Sequence, residues 1–245
     1  MRAGAFNRAV AKHRHFMCTR GGYGSLRLLD RIDYEAAQAR PGLLIGFSDI
    51  TALQLALYSK ANWCSLSGPL VVEWGEIPEG MKAECLALSR GELPAPLDQL
   101  QPMRPGTHTG TLLGGNLATI VRLVGTPYLP DLDGTLLFVE DVHEPLYRID
   151  ALFAQLHLSG LLARIGGLIV GHFTRSSPEG DELELDPLEI IADYIAPYSW
   201  PVATGLNYGH FHPRQVIPIG VQARLEVNPA GACLSVLEPA VRCNF

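Results

Sequence analysis

No two cysteines in this chain are spaced as C-x-x-C, and only five occur in 245 residues. Cys18, Cys64, Cys85, Cys233 and Cys243 are odd in number and scattered, so neither a disulfide framework nor a cysteine zinc site is signalled. No apolar run approaches the ~20 residues that span a bilayer, and residues 1–15 are basic without the apolar core of a signal peptide. A cytoplasmic protein with reduced thiols, without membrane partners, is the expectation. Positive charge is scarce too: 19 Lys and Arg against 25 Asp and Glu leave a formal charge of −6. The arginines are not clustered with aromatics, which disfavours nucleic-acid binding. What remains is a composition of 47% apolar and 18% charged residues, that of a globular protein with one large or two modest cores.

The most informative stretch is Pro41-Gly42-Leu43-Leu44-Ile45-Gly46-Phe47-Ser48-Asp49-Ile50-Thr51. Leu43, Leu44 and Ile45 suit a strand buried on both faces, and Leu53, Ala56 and Leu57 then repeat at helical spacing. Ser48 therefore falls at a strand-to-helix turn. A serine there can project its hydroxyl above the sheet, beside helix-opening amides that are free to bind a developing negative charge. The competing reading is a helix N-cap, because Ser and Asp favour that position and the pattern G-x-S-x-G ends here on Ile50.

Along the chain, residues 4–12 suit a short helix. Residues 15–18 form an apolar run ending at Arg20-Gly21-Gly22-Tyr23-Gly24, which reads as a strand-to-helix turn approaching a ligand closely. It lacks the spacing of a nucleotide fingerprint. Alternating strands and helices imply an α/β fold, with a parallel-sheet N-terminal domain (1–93) carrying Ser48. Between 94 and 109, Pro94, Pro96, Pro102 and Pro105 recur with Gly106 and periodicity is lost, the composition of a linker. Residues 110–245 then form a smaller, mixed and β-rich C-terminal domain. In it Asn116 is a cap for a helix to Val124, residues 135–139 are a strand ending at Glu140, 147–158 an amphipathic helix, 165–170 a strand and 188–195 a helix.

A serine nucleophile needs a base, usually a histidine. His13 and His15 lie in the basic N-terminal stretch, His108 in the linker, His157 on a helix and His172 after a strand. His210 stands in the loop Gly205-Leu206-Asn207-Tyr208-Gly209-His210, where an ordinary hydrogen-bonded histidine is the alternative, and His212 is its rival. Glu140, at a strand end, suits the carboxylate that orients an imidazole, or else pairs with Arg148. Asp141 is its neighbouring acid, and Asp49 reads as helix-cap chemistry.

Four stretches taken in order closely resemble the LD-carboxypeptidases and their microcin-immunity relatives: Cys18-Thr19-Arg20-Gly21-Gly22-Tyr23-Gly24-Ser25, Gly46-Phe47-Ser48-Asp49-Ile50-Thr51, Phe138-Val139-Glu140-Asp141-Val142, and the loop ending at His210. Gly114-Gly115-Asn116-Leu117 and Gly125-Thr126-Pro127-Tyr128-Leu129-Pro130-Asp131 fit as well. The resemblance implies serine peptidases that remove the terminal D-alanine of murein tetrapeptides, with Ser48, Glu140 and His210 as the catalytic triad and no metal or cofactor. It implies a homodimer, and an oxyanion hole would come from the backbone amides of Asp49 and of the glycine loop at Gly22, where a missing side chain permits close approach. Arg20 and Tyr23 are the candidates for holding substrate, Arg20 through its terminal carboxylate, unless Arg20 is a surface residue bonded to a carbonyl. In a microcin-type alternative, cleaving peptidyl-nucleotides, Trp74 is the residue placed to stack a base. In the family an apolar strand and helix precede the segment matching Arg20 to Gly24. Little precedes it here, so a catalytically impaired homologue that binds murein peptides is a further alternative, and a marginal sheet with reduced activity is expected.

Overall fold

The computed structural model describes residues 2–174 and 186–241; Cys243 lies outside them. In chain order the first part contains α1 (Arg2–Val10), β1 (His15–Met17), α2 (Tyr34–Ala39), β2 (Leu43–Gly46), α3 (Thr51–Ala61), β3 (Ser65–Ser67) and α4 (Glu79–Ser89). Then follow β4 (Leu97–Arg104), β5 (Gly106–Asn116), α5 (Leu117–Val121), β6 (Leu136–Val142), α6 (Leu146–Leu158) and β7 (Gly167–Thr174). The chain closes with α7 (Pro187–Ile195), β8 (Val202–Thr204), β9 (Ile217–Ile219), β10 (Val221–Asn228) and β11 (Gly231–Val236). A six-residue 3₁₀ segment at Leu26–Arg31 and single 3₁₀ turns at Ser48–Ile50 and Val71–Glu73 punctuate the first part.

The strands build two systems. A four-stranded sheet has the order β1-β2-β3-β9, and a closed seven-stranded barrel runs β10-β11-β4-β8-β7-β6-β5 and back to β10. In the sheet β1, β2 and β3 are parallel, with Phe16 opposite Leu44 and Ile45 opposite Leu66. As the apolar run at 43–45 implies, all of β2 is buried. The fourth strand corrects the all-parallel expectation: β9 comes from far along the chain and pairs antiparallel with β3. Phe6 of α1 packs on Phe16 and Trp63, at centroid distances of 5.6 and 6.2 Å. The Trp63 Nε1 donates to the Ala37 carbonyl, so one buried indole joins α1, α2 and the sheet.

The barrel is the larger of the two systems rather than the smaller, and it takes in most of the stretch expected to be a linker. Residues 97–104 are β4, paired with β8 and β11, and 106–116 are β5, paired with β6 and β10. The proline-rich composition hides β4 because Leu100 alone of its residues is buried, leaving no alternation to read. Pro102 sits where the β4–β8 register shifts, a place in the ladder that tolerates a missing N–H. The helix after Asn116 is shorter than expected, ending at Val121 with tight turns at Leu123 and Val124.

Two seams matter for the site. Helix α3, buried from Thr51 to Leu57, packs on β5: the Asn116 amide donates to Thr51 Oγ1 at 3.1 Å, and a side chain on Gly115 would collide with Thr51. Across the barrel wall Asn116 stands opposite Glu140 in the parallel β5–β6 register. The turn at the head of α3 and the end of β6 thus share one border.

Candidate active site

At the end of β2 the chain turns sharply. Phe47 is extended, with φ −149°, and Ser48 adopts φ +64° at the start of the 3₁₀ turn that leads into α3. Left-handed backbone costs a non-glycine residue about 1–3 kcal/mol and persists only where its surroundings enforce it. The turn is tight: a Cβ on Gly46, two residues before Ser48, would come within 2.6 Å of Ile50 Cγ2 and force that side chain to move. No side chain caps the turn, and Ser48 Oγ points instead at His210. The arrangement is that of a nucleophile elbow rather than an N-cap.

His210 joins both other members of the expected triad. Its Nε2 lies 2.9 Å from Ser48 Oγ and its Nδ1 2.8 Å from Glu140 Oε2. A carboxylate only accepts, so Nδ1 carries the proton and Nε2 is left to accept from the serine hydroxyl, the tautomer that a general base requires. Glu140 is fully buried within β6, and Asn116 Nδ2 donates to its other oxygen at 3.3 Å. With Asn116 and the His210 imidazole as its two donors, the buried carboxylate has the partners it needs. Glu140 does not pair with Arg148, whose guanidinium bonds Glu144 instead.

The loop carrying His210 is held along its length. Leu206 N donates to Val170 O, His172 N to Tyr208 O and Gln215 N to Asn207 O. Tyr208 is buried, with its hydroxyl 2.5 Å from Ser67 Oγ of β3 and its ring edge-on to both Phe47 and Phe138. Burial, with the Glu140 charge adding to it, pushes the Tyr208 phenol well above its ordinary range, so it stays a neutral pin between barrel and sheet. The Phe47 ring lies 4.6 Å from the imidazole of His210 and 4.0 Å from the guanidinium carbon of Arg214. That arginine is buried and donates to Glu73 at 2.7 Å.

Residues 1–68 match the LD-carboxypeptidase N-terminal domain, and residues 109–225 match the LD-carboxypeptidase C-terminal domain. The chain belongs to the LD-carboxypeptidase family. A probable murein peptide carboxypeptidase of Bacillus subtilis is 31% identical over 215 residues, covering 85% of this chain and 67% of that protein. The microcin C7 self-immunity protein MccF of Escherichia coli is 27% identical over 243 residues, covering 86% of this chain and 70% of that protein. Among solved structures, the muramoyltetrapeptide carboxypeptidase of Oxalobacter formigenes superposes with a TM-score of 0.87 at 28% identity, covering 96% of this chain and 83% of that one.

Within this LD-carboxypeptidase chain the other expected residues are placed as follows. The Asp49 amide opens the helical turn and so lacks an intrahelical acceptor. Its side chain is not a cap: Oδ2 accepts from the amide and hydroxyl of Ser25, at 2.9 and 2.7 Å, which ties the glycine loop to the elbow. In that loop it is Gly21 that faces Ser48, a Cβ there falling 3.3 Å from Ser48 Cβ and from Phe47 O; Gly22 follows at φ +100° beneath the Arg20 guanidinium. Tyr23 is 88% exposed beside them. His212 lies 3.7 Å from Glu73 rather than at Ser48. His108 contacts the Gly134 carbonyl, His157 the Tyr198 hydroxyl and His172 the Phe211 ring. Trp74 follows the turn at Val71–Glu73, partly buried against the core. Among the described residues no group of three His, Cys, Asp or Glu is placed to hold a metal, and no helix is long and apolar enough to cross a membrane.

Two participants carry no sequence signal of their role. Asn116 does cap α5, its Oδ1 accepting from Thr119 N, yet its Nδ2 also bridges Glu140 and Asp141. Asp141 accepts from Ala118 N and Val142 N as well, and burial raises its pKa despite those bonds. Arg214 in its loop resembles any surface arginine until Phe47 and Glu73 are placed around it.

Proposed function

We propose that this protein is a serine-type LD-carboxypeptidase that hydrolyses the bond releasing the C-terminal D-alanine from murein tetrapeptide. The observation that carries the reading is the single imidazole within hydrogen-bond reach of both Ser48 Oγ and Glu140 Oε2. Ser48 Oγ attacks the amide carbonyl while its proton passes to His210 Nε2. The carbonyl oxygen, now negative, is met by the backbone amides of Asp49 and the glycine loop at Gly22, donors of a kind worth ~10²–10³ each in rate. Collapse breaks the C–N bond, and the same proton leaves on the amine of D-alanine. Water then enters, gives a proton to His210, attacks the ester carbonyl and frees the tripeptide, and that proton returns to Ser48. Glu140 stabilises the imidazolium in both halves. Arg20 beside the loop pairs the substrate's terminal carboxylate, with Tyr23 at its side. The enzyme acts in the cytoplasm as a homodimer, its elbow in an N-terminal domain and its Glu140 and His210 in a C-terminal one.

The second reading, cleavage of peptidyl-nucleotides, is favoured by the likeness to the microcin immunity protein. The deciding experiment offers purified protein a murein tetrapeptide, the same peptide amidated at its C-terminus, and an aminoacyl sulfamoyl nucleotide. Release of D-alanine with a much lower kcat/KM for the amidated peptide supports the carboxypeptidase. Faster cleavage of the nucleotide moves the assignment to the second reading. No turnover of any of the three favours the impaired murein-binding homologue.

A further inference from the structure

Beside the elbow lies a cavity of about 820 Å³, within the size range of small-ligand sites, and Gly21, which packs on Ser48, is part of its wall. Four arginines line it: Arg2 from α1, Arg20 from the glycine loop, and Arg27 and Arg31 from the turn at Leu26–Arg31. Leu28, Ile50 and Leu53 give it an apolar wall, and among the described residues no acidic one lines it. Arg2, Arg20 and Arg27 form no ion pair or side-chain hydrogen bond with another described residue, and Arg31 has one exposed contact, with Asp30 at 3.8 Å.

Two of the guanidinium groups lie on the glycine loop. That of Arg20 lies over Gly22, 3.5 Å from where a Cβ would be, and that of Arg2 over Gly24, at 3.2 Å. Arg2 also offsets part of the burial that pushes the Cys18 thiol up to about 12. Four cations around one concavity repel each other in a chain of net negative charge, a cost that a bound polyanion relieves. Planar guanidinium forks suit carboxylate or phosphate oxygens.

We propose that this cavity is an anion subsite that holds carboxylates of the peptide substrate remote from the scissile bond, so that Arg2, Arg27 and Arg31 select acidic peptides while Ser48, His210 and Glu140 cleave them. The occupant rests on the peptidase reading above; the anion subsite itself does not. It deepens that reading, because a murein tetrapeptide carries carboxylates upstream of its terminal one. The apolar wall takes the methylenes between them.

The test uses the full chain and two double variants, Arg27→Gln/Arg31→Gln and Arg27→Lys/Arg31→Lys, with matching thermal midpoints as the folding control. Substrates are the tetrapeptide and the same peptide with its upstream carboxylates amidated and its C-terminus free. The glutamine pair should raise KM for the free-acid peptide at least ten-fold, hold kcat within two-fold and erase the preference for that peptide; the lysine pair should recover part of the loss. Unchanged KM, or an intact preference, overturns the proposal. Calorimetric titration with citrate and with inorganic pyrophosphate separates the two readings. If no peptide is cleaved but citrate binds and the glutamine pair abolishes its binding, the peptidase reading falls and the subsite stands. Absence of citrate binding to the wild type ends the subsite, and pyrophosphate binding ten-fold tighter than citrate reassigns it to a phosphate ligand.

Discussion

Asn116 and Glu140 face each other in register across β5 and β6, and the amide of the first donates to the buried carboxylate of the second at 3.3 Å. Because the same amide group reaches Asp141 at 2.8 Å, one side chain serves two adjacent buried acids. Asn116→Ala would remove a helix cap, worth about 1 kcal/mol, and leave two carboxylates short of a donor, at about 1–3 kcal/mol. We expect a loss of roughly 2–4 kcal/mol in urea unfolding and a fall in kcat exceeding any change in KM. Glu140→Gln should be more damaging to rate, ~10³-fold or more, since the imidazolium loses its charge partner. An Asn116→Ala protein as stable and as active as wild type would show that the bridge is incidental.

Ser48 occupies left-handed backbone, which alanine dislikes as much as serine does. Ser48→Ala and Ser48→Gly should therefore both be inactive yet differ in stability. The glycine variant is expected to be more stable than the alanine variant by about 1 kcal/mol. Chemical unfolding of the pair measures this directly, and an alanine variant equal to or above the glycine variant would remove the strain from the account.

Arg214 and Glu73 form a pair whose arginine side chain is 1% exposed and whose glutamate is 21% exposed. Arg214→Met should cost about 3 kcal/mol, toward the lower end for breaking a buried pair because Glu73 retains some water. It also withdraws the cation from the Phe47 ring, next to Ser48. In the double variant Glu73→Gln/Arg214→Met part of the stability should return, as the stranded charge is gone. Strictly additive losses would mean that the two residues do not act as a pair.

His212 provides a pH signature. Burial first, and then the Arg214 charge, lowers its pKa from the ordinary 6.5. Below 6.5 the unfolded chain therefore takes up a proton more readily than the folded one, so the contribution to stability is full above that value and shrinks as pH falls through the window beneath it. Unfolding measured between pH 7.5 and 5 should show a smaller acid-side decline for His212→Asn than for wild type. Identical slopes would place the acid sensitivity elsewhere.

The parts of this architecture that could be read from the residues are the local ones. A short buried run followed by Gly46-Phe47-Ser48 and a helical repeat announces strand, turn and helix because those choices are made within a dozen residues. Closure of the barrel depends on pairings such as β4 with β11 and β10 with β5, more than a hundred residues apart in sequence, and β4 shows one buried side chain to announce them. The meeting of Ser48 with His210, 162 residues away, is likewise invisible to spacing, and the family resemblance supplied it. Asp49 illustrates the opposite error: its position predicts a cap, yet the folded chain brings Ser25 to it, and a buried carboxylate takes the donors that tertiary structure offers.

The central claim is that Ser48 becomes acylated by a peptide whose last residue departs. Rapid mixing of wild-type protein with murein tetrapeptide, quenched in acid and read by intact mass and peptide mapping, tests it in one experiment. The account predicts an adduct of tripeptide mass on the peptide containing Ser48, formed in step with released D-alanine and missing from the Ser48→Ala and His210→Ala proteins. D-alanine released at the wild-type rate by Ser48→Ala, or an adduct on any other residue, would contradict it.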